Sequence, residues 1–226
     1  MMDNKFSIGG DVGGNVVFGD GNVVGDVAPA ADRRAAPERD EDREGLAPRL
    51  GFVVDIVGFG RRDAESKADL QRRLDTLVGE VVADLGVDRG GVSSSDAGDA
   101  RVLFLPVGTD PSRILPIMIA AIRERLGRDN RRYRDRMRLR MAVGTGLVGT
   151  GPLGFTGELV IDLHRLVDSV VLREAVAGNP YADLALLVAR ALHDDVIRPG
   201  YLDPADFTRV DVTAKEFTAP AWLRLF

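Results

Sequence analysis

One apolar run broken by a single acidic residue constrains this chain most. The segment GFVVDIVGFG at 51–60 reads as a buried strand with Asp55 close to its end. Further along, Asp99 stands just before the apolar stretch VLFLPV at 102–107, which reads as the second arm of a hairpin. Two carboxylates carried by strand ends suit a pair of divalent cations that gathers the charge of a triphosphate. The order of these pieces predicts a nucleotide-handling domain of the palm type.

Composition limits the chemistry that is open to the chain. Its 226 residues contain no cysteine, which excludes disulfides, thiolate catalysis and thiolate metal sites. Two histidines leave little for a zinc centre, so we expect any metal to be a hard cation bound by oxygen. The 30 basic and 35 acidic side chains give a net charge of −5, which argues against a nucleic acid bound over the whole molecule.

The sequence carries no sign of a membrane or secretory destination. No apolar run reaches the roughly 20 residues that span a bilayer. The N-terminus MMDNKFSIGGD lacks a basic start followed by an apolar secretory segment. We therefore expect a cytoplasmic protein without a membrane partner.

Three regions differ in composition. Residues 1–27 are rich in Gly and Val, and the Gly-Asp and Gly-Asn pairs within 7–27 favour short strands joined by tight turns. A lone hairpin is marginal in water, so we expect it to dock on its own domain, on a second copy, or on an effector or assembly partner; the alternative is a flexible tail. Residues 28–48 combine Ala, Pro and mixed charge and read as a solvated linker. Residues 49–226 carry the pattern of a compact domain.

Hydrophobic spacing predicts the elements of this domain. A helix follows the first strand, and a second helix begins at Asp110 and Pro111 and ends at Gly127. A glycine-bearing loop from 149 to 157 precedes a third helix in ELVIDLHRLVDS; a strand near LALLV, a helix around ARALHDDVI and a hairpin from FTRVDVT to AWLRLF follow. These elements predict an α+β fold, an antiparallel or mixed sheet with helices on one side. The apolar face of the first helix comprises Leu70, Leu74, Leu77, Val81 and Leu85.

The motifs of the domain resemble those of the class III adenylate and guanylate cyclases, in kind and in order. The first metal motif of that family is a strand ending in Asp-Ile-x-Gly-Phe, which residues 55–59 match. Its second is a Gly-Asp at a hairpin tip, matched by residues 98–99, and the strand RMAVGTG at 140–146 also corresponds. GELVIDLHRL at 157–166 is similar in part to the family's Gly-Asp-x-Val-Asn-x-Ala-x-Arg-Leu. The resemblance covers residues 49–226 and implies a ferredoxin-like palm sheet with helices packed on it.

This resemblance implies a nucleotidyl cyclase. Such an enzyme converts a nucleoside triphosphate into a 3′,5′-cyclic nucleotide and pyrophosphate with two divalent cations, Mg²⁺ or Mn²⁺. By this resemblance Asp55 and Asp99 would bridge both cations. The backbone from Ile56 to Phe59 would meet the terminal phosphates, where Gly58 permits a close approach.

Two residues of the third predicted helix complete the implied site. Arg165 would balance the charge on the transferred phosphoryl group, and Glu158 stands where the family commonly reads an exocyclic amine of the base. In this family the site forms where two catalytic domains meet head to tail, so the metal ligands and Arg165 would come from different subunits of a homodimer. The compact chain and its WLRLF segment look most similar to the prokaryotic pyrimidine cyclases of anti-phage, Pycsar-type systems.

Two positions depart from the family pattern. Ile161 stands where the family has an Asn that holds the ribose, and Ala100 follows Asp99 where a Gly is frequent. Loss of an oriented polar group at a reacting centre costs about 10²–10³ in rate. Either Asp162 or Thr156 substitutes and the chain is a working cyclase, or the chain is a degenerate cyclase-fold module that binds nucleotide or protein partners for signalling.

Other polar features have simpler interpretations. His164 and His193 lack a partner at metal-binding spacing, so we expect packing or surface roles. The run RDNRRYRDRMRLR at 128–140 alternates arginine with apolar residues in its last part, which favours a solvated sheet face over a nucleic-acid patch. The Gly-rich segment at 144–157 lacks the Lys-Ser or Lys-Thr of a P-loop.

Overall fold

The structure is a computed structural model that describes residues 45–152, 154–214 and 217–226. Over these residues the chain forms a mixed sheet with helices packed on it, as predicted. The Gly/Val segment 1–27 and most of the linker lie outside the described residues and stay predictions. The first strand begins at Ala47, slightly before the predicted start of the domain.

The elements of the described part follow the predicted order. The strands are β1 (Ala47–Ile56), β2 (Ser93–Ala97), β3 (Ala100–Phe104), β4 (Leu139–Gly151), β5 (Gly154–Thr156), β6 (Leu184–Ala189), β7 (Thr208–Ala214) and β8 (Phe217–Leu225). The helices are α1 (Ala64–Asp84), α2 (Pro111–Arg132), α3 (Glu158–Val167), α4 (Val170–Gly178) and α5 (Arg190–Leu192), which continues into a π-helical turn (His193–Ile197). None of the helices in the described part of the chain combines the length and apolar character that a membrane span requires.

The strands lie in the order β2-β3-β1-β4-β6-β8-β7, and the short β5 pairs with the end of β4. β1 is antiparallel to both of its neighbours, β3 and β4, whereas β4 and β6 are parallel. The hairpins β2–β3 and β7–β8 confirm the two hairpins predicted from the sequence. β1 is therefore an interior strand, and its end is enclosed by hydrogen-bonded neighbours.

Helices cover both faces of the sheet, so the prediction of helices on one side is wrong. Phe52 and Val54 of β1 enter a core that α1 and α2 cover, while Val53 enters a second core beneath α3 and α4. β1, β4 and β6 are apolar on both faces, and a strand of this kind needs cover on each side.

A close packing contact sets the β1–β3 register. Gly51 pairs with Phe104, and a Cβ atom on Gly51 would lie 2.4 Å from the Phe104 ring. The Phe104 ring fills the space that a side chain at position 51 would occupy, and only glycine leaves that space free. A shift of one residue would place this ring against Leu50 or Phe52, so the pair locks the alignment of the two strands.

α2 continues past Gly127, which was predicted to end it. A glycine inside a helix costs only about 1 kcal/mol relative to alanine, and tertiary contacts here outweigh that cost. Asp129 accepts hydrogen bonds from the buried Arg73 at 3.2 and 2.5 Å. Asn130 exchanges hydrogen bonds of 2.8 and 2.9 Å with the backbone of Met137, which leads into β4. These contacts stabilise the last turn of the helix.

The glycine-rich stretch before α3 forms a hairpin, where a loop was predicted. Gly149 pairs with Thr156 and Thr150 with Phe155, so the end of β4 turns back on itself as β5. Alternating Gly and Thr left few apolar residues from which strand periodicity could be recognised.

Arg136 and Arg138 of the 128–140 run differ from the predicted solvated face, because both are only partly exposed. Arg136 donates to the backbone carbonyls of Pro180 and Tyr181, and Arg138 donates to those of Val176, Asn179 and Ala182. Both side chains therefore hold the segment between α4 and β6. The predicted packing role of one histidine is confirmed, since the ring of His193 stacks on Trp222 with centroids 3.6 Å apart.

Replacement of Gly157 is expected to destabilise the fold strongly. Gly157 has φ +122°, and an added Cβ would lie 2.3 Å from the carbonyl oxygen of Leu147. Gly200 is a matched control, because its φ is +98° but nothing lies within 4 Å of an added Cβ. Backbone strain costs about 1–3 kcal/mol at either position. In urea unfolding we expect Gly157→Ala to lose at least about 2 kcal/mol more than Gly200→Ala, owing to the clash; equal losses would contradict the described backbone.

Candidate functional site

Asp55 lies at the carboxyl end of β1, one residue before the strand ends. Only 5% of the residue is exposed, because it stands in the interior of the sheet between β3 and β4. The chain then turns sharply at Gly58, whose φ of +72° starts a single 3-10 turn at Phe59–Arg61. An apolar strand thus places one carboxylate at the edge of the sheet, next to a tight backbone turn.

Asp99 lies at the tip of the β2–β3 hairpin, beside the end of β1. The hairpin loop consists of Gly98, with φ +65°, and Asp99 itself. The backbone N–H of Ile56 donates to the carbonyl oxygen of Asp99 at 3.2 Å, which ties the hairpin tip to β1. From α1, the side-chain amide of Gln71 donates to the carbonyl of Gly98 at 2.7 Å. The structure thus brings Asp55 and Asp99, the two predicted metal ligands, to one place.

The electrostatic environment disfavours the charged form of Asp55. Burial raises the pKa of Asp55 to about 6, the Arg140 guanidinium opposes this rise, and Asp99 and Asp168 add to it. Asp168 follows the end of α3 and is a third carboxylate near this position. A buried carboxylate beside two others favours a bound proton or cation.

Asp55 and Asp99 fit a divalent cation. Oδ1 of Asp55 is buried without a hydrogen-bond partner among the described residues, which leaves a hard oxygen ligand open. Over residues 45–152, 154–214 and 217–226, no group of three or more His, Cys, Asp or Glu side chains is arranged to hold a metal ion. Mg²⁺ is commonly bound through one or two carboxylates plus substrate phosphates and water, so two carboxylates are sufficient protein side chains.

The turn after β1 presents unused backbone donors. Val57 donates its N–H to the carbonyl of Arg138 at 2.9 Å, but the N–H groups of Gly58, Phe59 and Gly60 have no backbone partner in the described part of the chain. The Lys67 ammonium lies 5.8 Å from the centre of the Phe59 ring. Free N–H groups beside a cation suit an anionic ligand such as a phosphate.

The predicted residues of α3 lie at a second location. Glu158, the first residue of α3, and Asp162, one turn later, line a mostly apolar cavity of about 370 Å³. Arg165 lies over the ring of Phe217 at 5.0 Å, and its nearest acidic partner is Asp162 at 3.7 Å. Burial raises the pKa of Asp162, Arg165 opposes the rise and Glu158 adds to it. Ile161, at the family's Asn position, is 45% exposed.

One subunit does not join the two locations. Ten residues of α-helix span about 15 Å, which separates Glu158 from Asp168 at the other end of α3. In the described part of the chain, no hydrogen bond or ion pair connects Arg165 with Asp55 or Asp99. The structure therefore groups the predicted site residues into a carboxylate pair with its turn and a separate α3 cavity.

Comparison with known proteins places the fold. No protein-family model and no curated protein matches the chain. The solved adenylyl cyclase CyaB from P. aeruginosa is similar, with a TM-score of 0.54 and 19% identity over 80% of this chain and 93% of that chain. The solved guanylyl cyclase Cya2 is similar with a TM-score of 0.55 and 14% identity, over 80% of this chain and 92% of that chain. The catalytic core of a rhodopsin-guanylyl cyclase with converted specificity has a TM-score of 0.53 and 16% identity, over 82% of this chain and 98% of that chain.

The chain has the fold of an adenylyl or guanylyl cyclase domain. Identities of this size show the fold alone, so residue roles have to be argued from the geometry of the site.

Three residues near the carboxylate pair of this cyclase fold were not predicted as site residues. Arg140 pairs with Asp55 across the β1–β4 ladder, Gln71 holds the hairpin tip, and Asp168 lies at the end of α3. The sequence did carry a signal for Arg140, because a charged residue on an apolar strand needs a partner of opposite charge. Asp55 interrupts another apolar strand and is such a partner. The sequence carried no such signal for Gln71 and Asp168, since exposed polar residues are ordinary on and next to helices.

The raised pKa of Asp55 predicts a pH-dependent stability for the cation-free protein. Because the folded-state pKa of about 6 lies above the ordinary value of 3.8, the folded state holds this proton more tightly. The resulting stabilisation is complete below the ordinary pKa and is lost as the pH rises through the folded-state pKa.

We expect the free energy of unfolding in urea and EDTA to fall by at most about 1.4 kcal/mol per pH unit over that window, relative to Asp55→Asn, which does not titrate. Parallel pH profiles for the two proteins would contradict the described burial.

Proposed function

We propose that this chain is a nucleotidyl cyclase that converts a nucleoside triphosphate into a 3′,5′-cyclic nucleotide and pyrophosphate. The observation that carries the proposal is the buried Asp55 with an unpartnered oxygen, placed beside Asp99 in a cyclase fold. A carboxylate in this position without a ligand is a cost to stability, and a substrate-bound cation removes that cost. The similar rhodopsin-guanylyl cyclase core was solved in complex with ATPalphaS.

In this mechanism the carboxylate pair and its turn handle the triphosphate. Asp55 and Asp99 would hold Mg²⁺ or Mn²⁺, which activates the attacking ribose hydroxyl and neutralises the departing pyrophosphate. The free N–H groups of Gly58 and Phe59 orient the terminal phosphates. The positive φ of Gly58 keeps side-chain atoms away from this approach, and the backbone of Ile56 holds the hairpin tip in register.

The cavity beside α3 supplies the other half of the proposed site, from a second subunit. Its volume of about 370 Å³ and apolar lining suit a nucleobase, with Glu158 as the acceptor for an exocyclic amine. Arg165 has only a weak ion pair with Asp162, so it is available to a phosphoryl group of the facing subunit. Asp162 is the polar neighbour of Ile161 that takes over the ribose contact. A head-to-tail homodimer places both halves around one nucleotide.

The proposed biological setting is cytoplasmic anti-phage signalling. The proposal is supported by the resemblance of the compact chain and its WLRLF segment to the pyrimidine cyclases of that setting, and the net charge of −5 favours neither nucleic acid nor an anionic membrane as a partner. The Gly/Val-rich segment 7–27 is proposed to bind an effector or assembly partner.

A second function is favoured by one observation. Ile161 presents an apolar side chain, 45% exposed, where the family's ribose-binding Asn belongs. A degenerate module would bind nucleotide through Asp55, Asp99 and the turn without turning it over. Binding and catalysis therefore have to be measured side by side.

Activity is expected to depend on the carboxylate pair. Purified protein is incubated with Mn²⁺ or Mg²⁺ and each of ATP, GTP, CTP and UTP, and cyclic products are detected by mass. We expect one cyclic nucleotide as the main product, and a loss of at least about a hundredfold in Asp55→Ala and Asp99→Ala. Glu124→Ala removes an exposed carboxylate of α2 and should leave the rate unchanged. Cation-dependent nucleotide binding without product would establish the degenerate module in place of the cyclase.

Subunit mixing tests whether the site is shared. Asp55→Ala damages the metal half and Arg165→Ala damages the α3 half, so each variant alone should be inactive. In a head-to-tail dimer, an equal mixture forms heterodimers in which one of the two sites is intact, which predicts about a quarter of wild-type activity. A mixture as inactive as its components would place Asp55 and Arg165 in the same subunit's site.

A further inference from the structure

Asp55 and Arg140 form a buried ion pair across neighbouring strands. They are direct partners in the β1–β4 register, so their side chains stand on the same face of the sheet. Nη2 of Arg140 donates to Oδ2 of Asp55, and only 15% and 7% of the two side chains are exposed. In the same row Asp55 pairs with Ala100 of β3, and Arg140 pairs with Ala185 of β6. Small residues thus flank the pair on both sides.

The pair leaves hydrogen-bonding capacity unused. Oδ1 of Asp55 and Nε of Arg140 are both buried, and neither has a hydrogen-bond partner within the described ranges. The other buried arginine, Arg73, shows the contrast: its Nε and Nη2 donate to Asp129, and its Nη1 donates to the carbonyl of Asp135. The Asp55–Arg140 pair, unlike the Arg73–Asp129 pair, therefore keeps polar capacity for a further ligand.

We propose that Arg140 is an internal counter-cation that competes with the divalent cation for Asp55. This inference rests on the proposed function, because it assigns the regulation of the same carboxylate pair. In the cation-free protein Arg140 neutralises Asp55 and allows its burial. When a divalent cation binds at Asp55 and Asp99, a second positive charge faces the same carboxylate, and the repulsion weakens cation binding.

The sign of the effect separates this role from a structural one. An arginine that only orients Asp55 strengthens cation binding, so its removal weakens the affinity. A competing arginine weakens cation binding, so its removal strengthens the affinity. The competition also makes cation binding weaker without a triphosphate than with one, because the triphosphate brings its own negative charge.

The test measures Mn²⁺ affinity without nucleotide. The full chain is titrated with Mn²⁺, and the free ion is followed by electron paramagnetic resonance. Arg140→Met removes the charge and keeps an apolar side chain of similar reach. Arg209→Met is the matched control, because Arg209 lies on the distant strand β7, pairs with Asp211 on the surface, and carries the same charge. We expect Arg140→Met to bind Mn²⁺ on the order of tenfold more tightly than wild type, and Arg209→Met to stay within about twofold.

Asp55→Asn distinguishes failure of this inference from failure of the proposed function. An unchanged or weaker affinity in Arg140→Met, with binding that Asp55→Asn removes from wild type, overturns the inference alone. Equal Mn²⁺ binding by wild type and Asp55→Asn overturns both, because the cation then does not use Asp55.

A second measurement needs no folded Arg140→Met protein. In wild type, the Nε–H resonance of Arg140 is identified in a ¹⁵N–¹H spectrum by its loss in Arg140→Lys. We expect this resonance to move as Mg²⁺ saturates the protein, while that of Arg73, paired with Asp129, stays in place. An Arg140 resonance that keeps its position throughout the Mg²⁺ titration overturns the inference.

Discussion

Burial of the Asp55 carboxylate at the end of an interior strand is the constraint on which the site depends. β1 is apolar on both faces and hydrogen-bonded on both edges, so a charge at its end has little access to water. Arg140 compensates one oxygen, and Asp99 and Asp168 make the remaining charge harder to keep. The fold thus stores an unfavourable electrostatic arrangement at one edge of a well-packed sheet. Sites that bind cations or protons are typically built in this way.

The residues proposed for the second half of the site lie on a helix that packs on the same sheet face as Asp55. Leu159, Leu163 and Leu166 anchor α3 in the core that contains Val53. This packing orients the helix so that Glu158 begins it beside a cavity, while Asp168 follows its end. One element therefore contributes to both locations without joining them within a subunit. The proposed site, shared between two copies, is the simplest arrangement that brings these two locations together.

The sequence predicted local features well and tertiary ones less well. The β1 strand, the Gly98–Asp99 hairpin tip and the α2 start at Asp110 were recognised because turn and cap residues act over a few positions. The helices on both faces were missed although the continuous apolar runs of β1 and β6 indicate burial on two sides, because a run without alternation does not say which helix covers which face. The continuation of α2 past Gly127 depends on Arg73, far away in the chain. Likewise, only the strand register shows that Arg140 meets Asp55.

The placement of Asp99 beside Asp55 depends on the packing of the core as well as on the hairpin loop. Asp55 pairs with Ala100 at the end of the β1–β3 ladder, and Asp99 directly precedes Ala100 in the hairpin loop; in this ladder Phe104 packs on Gly51 and Val53 faces Val102. A slip of one residue would exchange the buried side chains of β3 between the two cores, so intermediate alignments of the two strands are not available to the folded protein. Substitutions in the loop can change the tilt of Asp99, but the position of its backbone beside β1 follows from the strand register and from the hydrogen bond that Ile56 donates to it. Any ligand held between the two carboxylates therefore meets a backbone frame that the core fixes.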